Sequence, residues 1–401
     1  MNTWILHFFL GISSGLPFLL TLTTLQAWMT EEHVNLKAIG IFALVRFPYS
    51  VKFLWAPFID KISLPFLTRR RGWMVLTQGL LALSVLALGL SNPVSSPWLV
   101  AGCAVLVAFM SASQDVVIDA YRTESLSGNA QALATSAYIT GYRVGMMIAG
   151  ALALYLVDQF KISWSSVYAL MAAFMVIGTI AALLAPEKEV TPAPRSMKEA
   201  VIEPFLEFFR RPGAIWVLLF IMFFKFGDNL ASAMTTPFLL TVGYTKTEYA
   251  LVVKGAGFIA VLVGGFLGGP IMMRIGAIRS LWVFGLGQAL AVSGFAILAV
   301  IPKNLSALSW VIMSENFFIG CGAAALTAYI SSVTSNKYTA TQYALLTSFM
   351  SLSSTVLSSP SGYLVNVVGW NRYFIFCALL AIPGLLLLFF IQKKGQAQIT
   401  S

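Results

Sequence analysis

Long apolar stretches separated by short polar segments run through the whole chain of 401 residues. Twelve of these stretches reach roughly 20 residues, the length that an α-helix needs to cross the hydrocarbon core of a bilayer. They cover residues 4–28, 38–60, 73–91, 97–121, 133–157, 164–185, 214–242, 248–273, 280–301, 306–333, 341–368 and 372–391. The pattern therefore predicts an all-α polytopic membrane protein with twelve transmembrane helices.

The longest polar interruption, residues 186–213, divides the predicted helices into two sets of six. Its prolines and mixed charges are typical of a linker, and the segment SMKEAVIEPFLEFFRR within it is predicted to form an amphipathic surface helix. We therefore expect an N-terminal six-helix bundle at 1–185, a cytoplasmic linker at 186–213, a C-terminal six-helix bundle at 214–392 and a short cytoplasmic tail at 393–401.

Composition supports this class of protein. Hydrophobic residues make up 58% of the chain and charged residues 10%, far from the values of soluble domains. The net charge of +10 would suit nucleic-acid binding, but 15 of the 25 Lys and Arg residues fall in tails and connections on one predicted side and five on the other. That asymmetry indicates cytoplasmic termini and argues against a nucleic-acid partner.

The few cysteine and histidine residues do not suggest disulfides, metal binding or catalysis. The three cysteines lie within apolar stretches without a CxxC motif, and His7 and His33 are the two histidines. Disulfides, a metal site and His-based catalysis are therefore not expected, and we predict a protein that is not an enzyme and uses no cofactor. The N-terminus has no basic leader or small-residue cleavage site, so we expect a retained first span in a monomeric protein.

Charged residues inside the predicted spans recur with a period of three helices. They are Arg46 and Lys52 on the second span, Asp115 and Asp119 on the fourth, Arg143 on the fifth, Lys225 and Asp228 on the seventh, Lys254 on the eighth and Glu315 on the tenth. The third, sixth, ninth and twelfth spans carry none. Because a charge facing lipid is costly, every third helix is predicted to be a lipid-facing support. This period matches the major facilitator superfamily, with its two pseudo-symmetric six-helix bundles.

Asp115 and Asp119 lie four residues apart and therefore share one face of a helix. Asp119 has Arg122 three residues further on, and this pair could simply secure the end of the helix. Asp115 has no basic residue three or four positions away, so its partner must be a ligand or one of the cations on the other spans of the same half. A carboxylate in that setting can exchange protons, which makes Asp115 our first candidate for proton coupling.

The charges of the second half have alternative interpretations. Lys225 and Asp228 lie three residues apart and could neutralise each other with no further role. Glu315 and Lys254 have no oppositely charged neighbour on their own spans. The predicted interior contains five basic and four acidic side chains. A cavity lined by these spans would therefore carry an excess of positive charge and favour an anionic solute. The candidate proton-coupling residues are Asp115, Asp228, Glu315 and Asp119.

A basic loop with the sequence RRRG follows Asp60 at residues 69–72. The loop could act simply as an anchor on the cytoplasmic side of the membrane. Together with Asp60 it also resembles the acidic-then-basic loop between the second and third spans of major facilitators, which latches the inner gate. The candidate gate residues are Asp60, Arg69, Arg70 and Arg71.

Several specific strings, in order along nearly the whole chain, resemble those of the AmpG muropeptide permeases. They are GLPFLLTLTTLQAWM (15–29), KFLWAPFIDK (52–61), RRRGW (69–73), SASQDVVIDA (111–120), GYRVGM (141–146), KFGD (225–228) and ATQYALL (340–346). The resemblance implies a Gram-negative inner-membrane symporter that imports anhydromuropeptides, meaning GlcNAc-1,6-anhydroMurNAc and its stem peptides, by alternating access and with the proton gradient. It also implies a place in peptidoglycan recycling and a link to β-lactam resistance.

The implied solute agrees with the charges of the predicted interior. Stem peptides carry carboxylates, which cationic side chains can hold, and sugar rings favour aromatic and amide groups. The candidate substrate-binding residues are Gln26, Arg46, Tyr49, Lys52, Gln114, Tyr138, Tyr142, Arg143, Lys225, Asn229, Lys254, Asn316 and Gln342.

Other functions fit part of the same evidence. The QDxxxDxY core at 114–121 is also similar to acetyl-CoA transporters of the superfamily, so a carrier of another bulky anion is the alternative substrate class. A substrate sensor that does not transport would carry the same residues. A membrane-embedded acyltransferase or wall-polymer synthase is disfavoured, because the sequence contains no HxxxxD-like or metal-binding motif.

Overall fold

The computed structural model describes residues 3–34, 45–186, 196–356 and 360–399. Within these ranges, ten helical segments are long and apolar enough to cross a membrane. They coincide with ten of the twelve predicted spans, which confirms the all-α polytopic membrane class. The other two predictions, 38–60 and 341–368, each include residues outside the described ranges, as does the linker at 187–195.

Helices occupy most of the described N-terminal half. They are α1 Thr3–Leu20, α2 Thr23–Glu31, α3 Phe47–Val51, α4 Ala56–Lys61, α5 Arg69–Leu90, α6 Pro97–Ser125, α7 Gly128–Met147, α8 Ala153–Phe160 and α9 Trp164–Leu183. A 3₁₀ turn at Lys52–Leu54 joins α3 to α4, and a π-helical segment at Ile148–Leu152 joins α7 to α8. The pairs α1–α2 and α7–α8 each form one span with an interruption.

The described C-terminal half also consists mainly of α-helices, some of which are interrupted within one span. Its helices are α10 Met197–Arg210, α11 Ala214–Phe224, α12 Phe226–Thr241, α13 Lys246–Tyr249, α14 Gly257–Ile275, α15 Ala277–Leu298, α16 Leu305–Val333, α17 Thr339–Val356, α18 Ser361–Val368, α19 Trp370–Leu379 and α20 Ala381–Ile399. A π-helical segment at Ala250–Ala256 joins α13 to α14. The helix α10 lies where the amphipathic linker helix is predicted.

The chain divides into two compact units. The first extends to Pro204 and also contains Thr334–Ser348, while the second consists of Phe205–Val333 and the residues from Phe349 onward. Residues 334–348, which include the first half of α17, thus pack with the N-terminal helices although they follow α16 in the sequence. The predicted bundle boundaries at 185 and 214 stay a prediction.

Glycines allow the closest helix contacts within each unit. In the first unit, a Cβ added at Gly141 of α7 would overlap the carbonyl oxygen of Phe8 on α1. In the second unit, a Cβ at Gly264 of α14 would overlap the carbonyl oxygen of Phe317 on α16. Both pairs of backbones approach more closely than any side chain would permit, which is the usual role of small residues between membrane helices.

We predict that Gly141→Ala destabilises the protein, because the added methyl group has no space between α1 and α7. Overpacking of this kind costs about 1–3 kcal/mol, so the midpoint of thermal unfolding in detergent should fall by several degrees. Gly102→Ala on α6 is the control, since a Cβ there meets no atom within 4 Å. Equal midpoints for the two variants would contradict the close contact.

Candidate functional site

Asp119 is the centre of a buried ionic cluster in the first unit. The Arg122 Nη2 lies 2.9 Å from the Asp119 Oδ1 on the same helix, as the spacing of three residues predicts. On the other side, the Lys52 Nζ lies 4.0 Å from the Asp119 Oδ2. One carboxylate therefore faces two cations, one from α6 and one from the 3₁₀ turn that follows α3.

Arg122 is fully buried, whereas its position in the sequence suggests the edge of the membrane. Its Nη2 donates a hydrogen bond to the Tyr343 hydroxyl at 2.6 Å, and its guanidinium lies 4.6 Å from the centre of the Tyr138 ring. The Nε and Nη1 groups have no hydrogen-bond partner among the described residues. Two tyrosines and Asp119 thus enclose the cation, which explains how it is accommodated away from water.

Asp115 lies one turn before Asp119 and is also buried. Its Oδ1 has no hydrogen-bond partner among the described residues. Lys52, one of its three predicted cationic partners, instead forms its ion pair with Asp119. Of the other two, Arg46 is exposed with its guanidinium 5.2 Å from the centre of the Phe18 ring, and Arg143 is half-buried.

Amide side chains form a second polar group in the same unit. Gln114 and Gln78 both donate from Nε2 to the Ser13 hydroxyl, at 3.0 and 2.8 Å. Gln78 lies on α5, a helix with no intramembrane charge and therefore expected to act only as a lipid-facing support. Leu83 on α5 is indeed 64% exposed, but the opposite face buries Gln78 completely. Counting charges alone misses this group because an amide carries none.

The remaining aromatic and amide candidates of the first unit lie on its N-terminal helices and on α7. The Tyr49 ring makes an edge contact with Phe18, and its hydroxyl is buried without a hydrogen-bond partner among the described residues. Tyr142 and Gln26 are half-buried. The roles of Tyr49, Tyr142 and Gln26 as substrate ligands stay a prediction.

The second unit contains a comparable cluster around Lys225. The Lys225 Nζ lies 3.3 Å from the Asp228 Oδ2 and 3.2 Å from the Gln288 Oε1. Gly322 of α16 faces this cluster, since a Cβ there would lie 3.7 Å from the Lys225 Nζ. Glu315 is buried on the same helix, within electrostatic range of Lys225 and Asp228. Asp228 is thus the carboxylate that forms the ion pair with Lys225, and Glu315 is a second buried carboxylate nearby.

The other candidates of the second unit are less enclosed. Asn229, beside Asp228, is half-buried. The Asn316 Nδ2 donates to the carbonyl oxygen of Ile312 on its own helix, at 2.9 Å. Lys254 is exposed, with its Nζ 5.9 Å from the centre of the Tyr249 ring.

Three of the candidate cations occupy interruptions of regular α-helix. Lys52 begins a 3₁₀ turn, Lys225 lies between α11 and α12, and Lys254 lies in the π-helical segment Ala250–Ala256. Such interruptions redirect side chains and backbone groups, and in membrane helices they are tolerated where the freed groups face protein or water. The local irregularity therefore indicates polar surroundings at each of these three positions.

Asp60 caps the N-terminus of α17 within the first unit. Its carboxylate accepts hydrogen bonds from the backbone N–H groups of Ala340 at 3.2 Å and Thr341 at 2.8 Å, and from the Thr341 hydroxyl at 2.7 Å. The Arg70 Nη2 donates to the same carboxylate at 2.7 Å. A buried negative charge at this end of a helix is stabilised by the unpaired N–H groups and the helix dipole.

The three arginines predicted to lie in a basic loop instead form the first turn of α5, and two of them support this cap through a second carboxylate. Arg70 also binds Glu124 of α6 through Nε and Nη2, and Arg69 donates to the Asp60 carbonyl oxygen at 2.8 Å. Arg71 instead donates to the carbonyl oxygen of Leu183. Sequence reasoning missed Glu124, although its position near the end of α6 could have indicated a partner for the basic loop.

Gln342 performs a structural task beside this cap. It is buried, its Oε1 accepts from the Ser335 N–H at 2.8 Å, and its Nε2 donates to the Pro204 carbonyl oxygen at 3.0 Å. The side chain therefore ties the loop before α17 to α10. Its predicted role as a substrate ligand stays a prediction.

Residues 3–356 match the Major Facilitator Superfamily. The chain is 39% identical over 381 residues to the anhydromuropeptide permease of Escherichia coli strain K12, covering 94% of this chain and 77% of that protein. It is 37% identical over 396 residues to the putative transporter AmpG 4 of Rickettsia conorii, covering 96% of both chains. The chain belongs to the AmpG family of the major facilitator superfamily. The predicted family is thus confirmed, and the AmpG assignment identifies a transport protein and not an enzyme.

The solved structures agree with the AmpG assignment at the level of fold. The proton:xylose symporter XylE superposes with a TM-score of 0.74 at 13% identity, covering 98% of this chain and 94% of that one. This likeness confirms the predicted major facilitator fold for the AmpG-family chain.

We predict that Asp60→Ala loosens the start of α17 in this AmpG-family chain. Loss of a helix cap costs about 1–2 kcal/mol, so amide exchange at Ala340 and Thr341 should become roughly tenfold faster. Hydrogen–deuterium exchange of the purified protein measures this change. Asp158→Ala, which removes a carboxylate that is 74% exposed, should leave exchange at α17 unchanged. Equal exchange in both variants would show that the cap contributes nothing.

Proposed function

We propose that this chain imports anhydromuropeptides from the periplasm across a bacterial inner membrane, with both termini in the cytoplasm. The observation that carries the proposal is the 39% identity to the E. coli anhydromuropeptide permease over 94% of the chain. The function is transport of GlcNAc-1,6-anhydroMurNAc and its stem peptides for peptidoglycan recycling, by a monomer. Where a β-lactamase responds to these products, transport contributes to β-lactam resistance.

Cationic side chains are proposed to bind the carboxylates of the stem peptide. Lys52 supports this role because its ammonium group is only partly neutralised: its Nζ lies 4.0 Å from the Asp119 carboxylate, which Arg122 contacts at 2.9 Å. Arg46 and Lys254 support it because both are exposed, with aromatic rings as their neighbours. Lys225 pairs with Asp228 and donates to Gln288, so a solute carboxylate would bind beside this pair.

Transport is proposed to be driven by protons, with Asp115 as the first carrier. A buried carboxyl group whose Oδ1 has no hydrogen-bond donor among the described residues supports this role, because such groups mark proton relays in membrane proteins. Asp119 differs, since Arg122 and Lys52 hold it in an ionic cluster. In the second unit, Asp228 pairs with Lys225, and the buried Glu315 lies within electrostatic range of both; these two carboxylates are the next candidates.

Alternating access is proposed to involve the cap of α17. Asp60 accepts three hydrogen bonds from residues 340 and 341, and Arg70 and Glu124 hold Asp60 in place. Breaking a few charge-assisted bonds at one helix end is a change that substrate binding or protonation can drive. These contacts therefore form a latch that is released once in each cycle.

We expect cells that lack their own permease to take up labelled anhydromuropeptide when they produce this chain. A protonophore should abolish accumulation above the external concentration, because the proton gradient would no longer drive it. Absence of uptake with normal expression would refute the substrate. Accumulation that a protonophore leaves unchanged would refute proton coupling alone, and uptake of another bulky anion instead would favour the alternative carrier.

Asp115→Asn is expected to separate coupling from binding. The amide keeps the size of the side chain but cannot release a proton, so gradient-driven accumulation should fall to background, while exchange of labelled for unlabelled substrate in proteoliposomes continues. Asp158→Asn on the exposed end of α8 is the matched control and should retain both activities. Normal accumulation by the Asp115→Asn variant would refute the role of Asp115 as the proton carrier.

A further inference from the structure

The helix α10, between the two halves of the chain, has three distinct faces. Ala200, Pro204 and Phe208, spaced four residues apart, are buried against the protein. An acidic face carries Glu199, Glu203 and Glu207, and an exposed apolar face carries Ile202, Leu206 and Phe209. The exposed fractions of the last three are 43%, 38% and 51%.

Two of the three residues on the acidic face form ion pairs. Glu199 lies 2.9 Å from the Lys337 Nζ, and Glu207 binds Arg211 through both carboxylate oxygens. The hydrogen bond from Gln342 to the Pro204 carbonyl oxygen fixes the buried face. The rotation of α10 about its axis is therefore set, and its apolar face points away from both the protein core and the acidic side chains.

The apolar face lies close in sequence to a segment that the membrane covers. Gly213, with φ of 92°, turns the chain directly from α10 into the transmembrane segment Ala214–Thr241. The first exposed residues of that segment are Ile215 at 64% and Trp216 at 37%. Tryptophan at the end of a span is typical of the interface between hydrocarbon and headgroups. Phe209 lies six residues before Ile215, so both belong near the same boundary.

Length and charge identify how the membrane contacts α10. The helix has 14 residues, or about 21 Å, so it is too short to cross a hydrocarbon core of about 30 Å. Its ends carry Lys198 and Arg210, both exposed. Basic side chains that flank an apolar stripe extend toward phosphate groups while the stripe enters the headgroup boundary.

We propose that α10 lies in the plane of the bilayer, with Ile202, Leu206 and Phe209 inserted at the headgroup boundary and Lys198 and Arg210 bound to anionic phospholipid headgroups. The partner is the lipid surface itself. This surface is independent of the transported solute and of proton coupling. It anchors the segment that connects the halves of the chain, so its contacts constrain how that segment moves.

Nitroxide accessibility in the full-length protein tests insertion. The three native cysteines are replaced by alanine, and single cysteines are labelled at Leu206→Cys and, as a control on the acidic face of the same helix, at Glu203→Cys. In nanodiscs, the ratio of oxygen to nickel-chelate accessibility should be roughly threefold higher at 206 than at 203. Equal ratios would overturn the proposal. So would a label at 206 that neither reagent reaches, since a protein partner would then cover the face.

Lipid composition tests the headgroup contact. Equal parts of phosphatidylglycerol and phosphatidylcholine should give a higher accessibility ratio at 206 than phosphatidylcholine alone. K198Q and R210Q together should remove that difference while leaving the thermal midpoint unchanged, because both side chains are exposed. A ratio that does not respond to phosphatidylglycerol would overturn the anionic-lipid part, and a response that persists in the double variant would overturn the role of these two residues.

Discussion

The cost of burying charge in an apolar interior governs this structure. A charged side chain within a membrane helix persists only where another group of opposite charge, an aromatic face or water compensates it. Asp119 illustrates the constraint, because it lies between Arg122 and Lys52, and Arg122 in turn contacts the rings of Tyr138 and Tyr343. The same requirement places Lys225 between Asp228 and Gln288 in the second unit.

This constraint also distinguishes the surroundings of the two aspartates on α6. Arg122 and Asp119 largely neutralise each other's charge. Removing either side chain would therefore leave an uncompensated buried charge. Asp115, one turn away, has no hydrogen-bond partner for its Oδ1 among the described residues, although it lies within electrostatic range of Lys52. Two aspartates on one helical face therefore have different surroundings, since Asp119 alone forms ion pairs with both Arg122 and Lys52.

The class of fold could be predicted from the sequence because it depends on a local pattern, the length of the apolar stretches along the chain. Apolar length predicts a span, and ten of the predicted spans are present among the described residues. The partner of a buried charge depends on tertiary packing, which the sequence of a single helix does not determine. Tyr343 lies 221 residues from Arg122, and Asp60 lies 280 residues from Ala340, so neither contact has a local signal. Gln288 is not among the predicted amide residues because it lies on the ninth predicted span, which carries no charge and is therefore expected to be a lipid-facing support.

Residues 334–348 link the ionic cluster to the cap of α17. Asp60 fixes the first turn of α17, and the Arg122–Tyr343 hydrogen bond lies one turn further along the same helix. Both contacts end on charged groups of the N-terminal helices, and Asp119 connects Arg122 to Lys52. Any change in charge at Lys52 or Asp119 therefore alters the field at Arg122, and through Tyr343 it acts on the same helix that Asp60 caps. The planar guanidinium suits this position, because it can bind a carboxylate and a hydroxyl at once while lying over an aromatic ring.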